Sequence, residues 1–81
     1  MPSLDELPIA VRAWVTRVEG DDDLSVRLLE MGLTPGVEVC VLGVAPLGDP
    51  LELEVRGYRL SVRKREAQRV QVNIEPAKSA M

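Results

Sequence analysis

The chain has 81 residues, with ten Lys plus Arg against thirteen Asp plus Glu, a net charge of −3 and no histidine. It has room for one domain with a modest core, which must be aliphatic because there is no Phe, one Trp and one Tyr. The acid excess argues against a phosphate-neutralising nucleic-acid surface, the lack of imidazole removes the usual base of hydrolytic triads, and the lone Cys40 excludes a disulfide framework or a Cys-rich zinc site.

In chain order, Met1 to Glu6 is acidic and lacks a signal-peptide pattern. Ile9, Val11, Ala13 and Val15 share one phase while Trp14 and Val18 fall on the other, which predicts a first strand over 9–18 with a bulge or bend. Gly20 ends it. Asp21-Asp22-Asp23 then supplies acceptors for the free amides of a helix start, at the end where negative charge is favoured. Leu24, Leu28 and Met31, with Leu29 beside them, predict one apolar helix face, leaving Ser25, Arg27 and Glu30 in solvent.

Gly32 is the expected left-handed helix stop, and Thr34-Pro35-Gly36 reads as a type II turn. Val37 to Ala45 is apolar on both phases from Val39 onward, which predicts a central strand covered on both faces, with Cys40 packed within it. Pro46-Leu47-Gly48-Asp49-Pro50 breaks the ladder. Leu51, Leu53 and Val55 alternate with Glu52, Glu54 and Arg56, Gly57 turns the chain, and Tyr58, Leu60 and Val62 alternate with Arg59, Ser61 and Arg63 as the second arm of a hairpin. A short helical turn is expected over 63–67, and a last strand through Val70, Val72 and Ile74. The domain is thus expected over 1–75 with a disordered tail over 76–81. The sum is a mainly β fold: a small barrel of about five antiparallel strands with one short helix inserted after the first. No apolar run reaches the roughly 20 residues that span a bilayer. The expectation is a soluble, cytoplasmic protein without membrane insertion.

The run Arg27-Leu28-Leu29-Glu30-Met31-Gly32-Leu33-Thr34-Pro35-Gly36, followed by Ala45-Pro46-Leu47-Gly48-Asp49-Pro50 and Arg56-Gly57-Tyr58, resembles the FeoA family, small cytoplasmic proteins that accompany the bacterial ferrous-iron transporter. The resemblance covers Leu4 to Val72. Ala10 and Ala13 depart from it, standing where many members have glycine or a small turn residue. It implies an SH3-like barrel and an accessory protein of ferrous iron uptake, not an enzyme and without a cofactor. The implied partner is the cytoplasmic GTP-binding part of the FeoB-like membrane transporter. The alternative is a metal-responsive SH3-like regulatory domain that binds Fe²⁺ directly. A weak homo-oligomer stays open.

Two sets of residues are candidate partner-binding positions. Leu47, Gly48 and Asp49 form a loop between Pro46 and Pro50, where proline lowers the ordering entropy that binding costs, with Leu47 either presented to a partner or tucked into the barrel mouth. Tyr58 and Arg59, and Arg27 and Glu30 on the helix, are the others. Arg56, Arg59, Arg63, Lys64 and Arg65 concentrate positive charge in the second half, with Arg17, Arg27 and Arg69 as neighbours, either as a solvated face or as a patch suited to an acidic protein segment. Gly32, Pro35, Gly36, Pro46, Pro50 and Gly57 have structural turn roles. Asp21 to Asp23 is read as a helix cap rather than a hard-cation site, and no residue is assigned to a metal. In iron-dependent repressors with a similar barrel, an acid and an amide before the equivalent helix reach a metal; Asp21 matches the acid, but Leu24 stands at the amide position. Glu52 and Glu54 are alternate residues on a solvated strand face rather than a catalytic pair.

Overall fold

The computed structural model describes residues 2–74; Glu75 and the expected tail over 76–81 lie outside the described residues. Five strands, β1 (Arg12–Val18), β2 (Glu38–Val44), β3 (Leu51–Val55), β4 (Tyr58–Val62) and β5 (Val70–Asn73), join in one antiparallel sheet of order β4-β3-β2-β1-β5. Helix α1 (Asp23–Glu30) lies between β1 and β2, and the short α2 (Lys64–Ala67) between β4 and β5. β2 is central, as its apolar run predicts.

Two register shifts curl this sheet. One falls between Val15 and Arg17 where β1 meets β5, the other between Val41 and Gly43 where β2 meets β3. An extra residue in one strand raises local twist and bends the pair. The first shift explains the mixed phase of β1: with Thr16 as the extra residue, Val15 is buried and Val18 still packs on the core. The outcome is an SH3-like barrel whose sheet is not strictly closed. Leu28, Leu33, Val39, Val41, Leu53, Val55, Val62, Val70 and Val72 fill it.

Helix α1 starts at Asp22, whose carboxylate accepts from the Ser25 amide at 3.3 Å. It stops in a Schellman arrangement: the Gly32 amide donates to the Leu29 carbonyl at 3.0 Å and the Leu33 amide to the Leu28 carbonyl at 3.2 Å, with Gly32 at φ 106°. Leu28 and Leu33 are both buried, which supplies the apolar contact that accompanies the motif. The Thr34-Pro35-Gly36 turn forms as expected. The Val37 amide donates to the Thr34 carbonyl at 3.1 Å, and Gly36, at φ 91°, donates to the Val15 carbonyl at 2.7 Å, fastening the turn to β1.

Five details differ from the sequence expectation. The first strand begins at Arg12, because Ala10 takes a left-handed φ of 73° and donates to the Val41 carbonyl at 2.8 Å, leaving Ile9 in a turn and exposed. The last strand ends at Asn73, and Ile74 is exposed. Ser25 is 3% exposed rather than in solvent: its hydroxyl donates to the Asp22 carbonyl at 2.8 Å, so a small, internally satisfied side chain occupies the face toward the sheet while Val26 and Leu29 stay exposed. β2 is covered on both faces only over Val39 to Val41, and Leu42 and Val44 past the shift are exposed. Finally, a 3-10 turn at Leu4–Glu6 buries Leu4 completely, and beside it the Pro2 carbonyl accepts from the Val72 amide at 3.0 Å while Ser3 bridges Gln71.

Candidate functional site

The loop between β2 and β3 is held in shape by its own backbone. The Gly48 amide donates to the Ala45 carbonyl at 2.7 Å and the Ala45 amide to the Pro50 carbonyl at 3.0 Å. Gly48 takes φ 87°, a left-handed conformation suited to glycine. Asp49 is fixed from outside the loop: its Oδ1 accepts from the Lys64 amide at 2.8 Å, at the first turn of α2. Leu47 is left 94% exposed. It is presented to solvent and not tucked into the barrel mouth.

α2 links this loop to α1. Glu66 is 6% exposed, and its two carboxylate oxygens divide their work: Oε1 accepts from the Arg63 amide at 2.9 Å and Oε2 pairs with the Arg27 guanidinium at 2.9 Å. Arg27 and Asp49, drawn from segments far apart in sequence, therefore line one open surface depression with Arg63, Lys64 and Arg65. Sequence reasoning missed Glu66. The available signal was a Glu three residues past the last residue before a short helix, the spacing at which a carboxylate reaches back to the preceding amide.

Tyr58 falls elsewhere. Its phase matches Leu60 and Val62, yet it is 44% exposed because the ring reaches the end of α1, where its hydroxyl donates to the Met31 carbonyl at 2.7 Å. Glu30 is exposed at that same helix end. Arg59 is exposed on β4 opposite Glu54 of β3. The nominated residues thus form two groups, Leu47, Gly48 and Asp49 with Arg27 around α2, and Tyr58 with Glu30 at the end of α1. Arg59 stands apart on the sheet edge.

Charge is unevenly satisfied. Arg12 pairs with Glu38, Arg27 with Glu66 and Arg69 with Asp22. Arg17, Arg56, Arg59, Arg63, Lys64 and Arg65 form no ion pair among the described residues. The Arg69 guanidinium grips both oxygens of Asp22, at 2.6 and 3.0 Å, and with help from the Ser25 amide holds this carboxyl at a pKa of about 2. Asp22 is thereby committed to capping and pairing. Asp21 and Asp23 are exposed, and Leu24 packs against the core. Cys40 is buried within β2, and the Glu52 carboxylate accepts from the Ser61 hydroxyl at 2.6 Å. Among the described residues no helix is long and apolar enough to cross a membrane, and no group of three potential metal-ligating His, Cys, Asp or Glu side chains occurs.

Fold and surface together define a class: a small SH3-like domain with a capped helix after its first strand and a leucine held out on a fixed loop. Its family follows from comparison with known proteins. The chain belongs to the FeoA family, whose domain description, FeoA domain, matches residues 3–74. It is 35% identical over 71 residues to a fusion of Fe(2+) transport protein A with the Fe(2+) transporter FeoB from Porphyromonas gingivalis; that alignment takes in 88% of this chain and 8% of the much longer fusion. FeoA from Chlorobium tepidum is similar in structure with a TM-score of 0.83 and 37% identity, over 96% of this chain and 74% of that one. A zinc complex of Stenotrophomonas maltophilia FeoA, described as a prokaryotic SH3 domain protein and candidate activating factor of ferrous iron transport, matches with a TM-score of 0.79 and 35% identity over 90% and 91% of the two chains. The family links this chain to ferrous iron transport, and the fusion links the domain to the transporter.

Proposed function

We propose that this protein is a cytoplasmic accessory component of ferrous iron uptake, a non-enzymatic module that docks on the GTP-binding cytoplasmic part of the ferrous iron transporter. The observation that carries the reading is Leu47. An apolar side chain 94% exposed on a loop fixed at both ends is already in a binding conformation, so docking immobilises little further and desolvates an apolar group. The neighbouring Asp49, Arg27 and the cations of α2 supply a polar rim of the kind that surrounds an apolar anchor. Covalent joining of such a domain to the transporter in the Porphyromonas gingivalis fusion supports the choice of partner.

The test is binding of the purified protein to the isolated GTP-binding domain of its transporter, by pull-down followed by titration. Saturable one-to-one binding supports the reading, and absence of binding in every nucleotide state of that domain overturns it. The zinc complex of the Stenotrophomonas maltophilia relative keeps direct metal response as a second reading. That route would have to recruit exposed Asp21 or Asp23, or release Asp22 from Arg69. Anaerobic calorimetry with Fe²⁺ distinguishes the two.

A further inference from the structure

β4 is an end strand, hydrogen-bonded within the sheet only to β3. The two-residue turn that delivers it, Arg56-Gly57, has φ values of 53° and 86°, the left-handed pair of a type I′ hairpin. Such a turn makes Val55 and Tyr58 the closing hydrogen-bonded pair. Alternation along an antiparallel ladder then assigns the same state to Leu53 with Leu60 and Leu51 with Val62. The amides and carbonyls of Arg59 and Ser61 therefore face away from β3, and they meet no partner among the described residues. The opposite end of the sheet is treated differently, since Pro2 and Ser3 lie along β5 and bond to it. Among the described residues, one edge is covered by the chain itself and the other is open.

Charge selects what can cover it. Arg59 on the edge, Arg56 in the turn, and Arg63, Lys64 and Arg65 just beyond the strand are exposed and form no ion pair among the described residues. Two copies meeting edge to edge would bring these cations together, and like charges across a strand pair are unfavourable. A carboxylate-bearing segment meets the opposite field. We propose that the β4 edge accepts an extended, acidic polypeptide segment as an added strand, with the main chain of Arg59 and Ser61 supplying the ladder and the flanking cations selecting for acid. This goes beyond docking through Leu47. It rests on that reading only for which cellular protein supplies the segment.

The probe is a synthetic peptide of about ten residues alternating Glu and Val, the strand period of two, titrated into isotope-labelled protein. The amide signals of Arg59 and Ser61 are expected to shift together, and their hydrogen exchange to slow by about tenfold or more on saturation. Ser61→Pro removes one outward amide at a position where an edge strand tolerates proline, and should weaken the peptide by about tenfold, whereas Ser61→Ala keeps the amide and the affinity. If Ser61→Pro fails to fold, the exchange measurement on the parent decides. No binding, shifts confined to the Leu47 loop or α2, or equal affinity of a folded Ser61→Pro variant overturns the proposal. So does a concentration-dependent shift of the same amides without peptide, which would make a second copy the occupant. Because the transporter takes no part in this titration, its outcome is independent of whether the accessory reading stands.

Discussion

The Tyr58 hydroxyl donates to the Met31 carbonyl across the end of α1, in the space that any side chain on Gly32 would enter. A Cβ built at Gly32 meets that hydroxyl oxygen, whereas one built at Gly36 meets nothing within 4 Å. Both glycines have left-handed φ, so the contrast separates backbone strain from collision. Gly36→Ala should cost about 1–2 kcal/mol from φ alone, and Gly32→Ala clearly more. Tyr58→Phe should cost about 0.5–1.5 kcal/mol through loss of the hydrogen bond, and should partly rescue Gly32→Ala. Denaturant melts of the two single variants and the double variant check this; strict additivity would show that the two sites do not meet.

Asp22 gives the fold an acid-sensitive fastening. Its pKa falls from the ordinary 3.8 to about 2, first through the Arg69 hydrogen bonds and then through the Ser25 amide. A depressed carboxylate pKa means that the associated stability is complete above the unfolded value and is lost as pH falls through the folded one, here between pH 3.8 and about 2. Asp22→Asn keeps an acceptor for the cap but removes the charge. The melting temperature of the parent should drop more steeply than that of Asp22→Asn over this window, and parallel curves would contradict the assignment.

The Arg27–Glu66 pair should respond asymmetrically. Glu66→Ala removes a charged acceptor from the part-buried Arg63 amide, and should destabilise by about 1–3 kcal/mol. Arg27→Ala removes a largely exposed cation and should cost about 1 kcal/mol or less. Chemical denaturation measures both, and equal losses would show that the pair acts as a buried ion pair rather than as a capped helix turn.

Leu47→Ala should weaken binding to the transporter's GTP-binding domain by about tenfold or more, the effect expected of an apolar anchor. With 94% exposure there is little packing to lose, so the melting temperature should hardly move. A variant that melts early but binds as well as the parent in its folded fraction would reassign Leu47 to fold support. The docking surface would then be sought around Arg27 and Glu30.

Local chemistry made much of this fold readable. Asp22 before an apolar helix face, Gly32 after it, and Pro35-Gly36 beyond are short-range signals with one physical meaning each, and all three form as expected. The mixed phase of β1 announced its bulge. What stayed hidden depends on tertiary partners. Leu4 lies in a single helical turn too short to show a period, and is buried because the core has a place for it. Ser25 reads as polar, but its hydroxyl is satisfied one turn back, so a small residue can face the sheet. Glu66 is held by Arg27 from a remote helix, a partnership that no local window contains. At the surface, the proline-flanked loop around Leu47 was legible as constrained, but the choice between a projecting and a tucked leucine was not, because it depends on whether the barrel mouth has space for the side chain. Nor was the burial of Glu66 beneath Arg27, because it requires α2 to be placed against α1.

The adjacency of β1 and β5 also fixes when this domain can exist. Thr16 bonds to the Gln71 carbonyl across 55 positions of sequence, and the opening turn rests on the last strand through Pro2 and Val72. The meander from β2 to β4 joins strands that follow one another in the chain, but the core it shares with β1 cannot be closed off until β5 arrives. Distant pairings of this kind slow folding, toward milliseconds to seconds in small β-rich domains. A growing chain should therefore acquire protease resistance in one late step, when Val70 to Asn73 become free to pair with β1, rather than gradually as each strand is added.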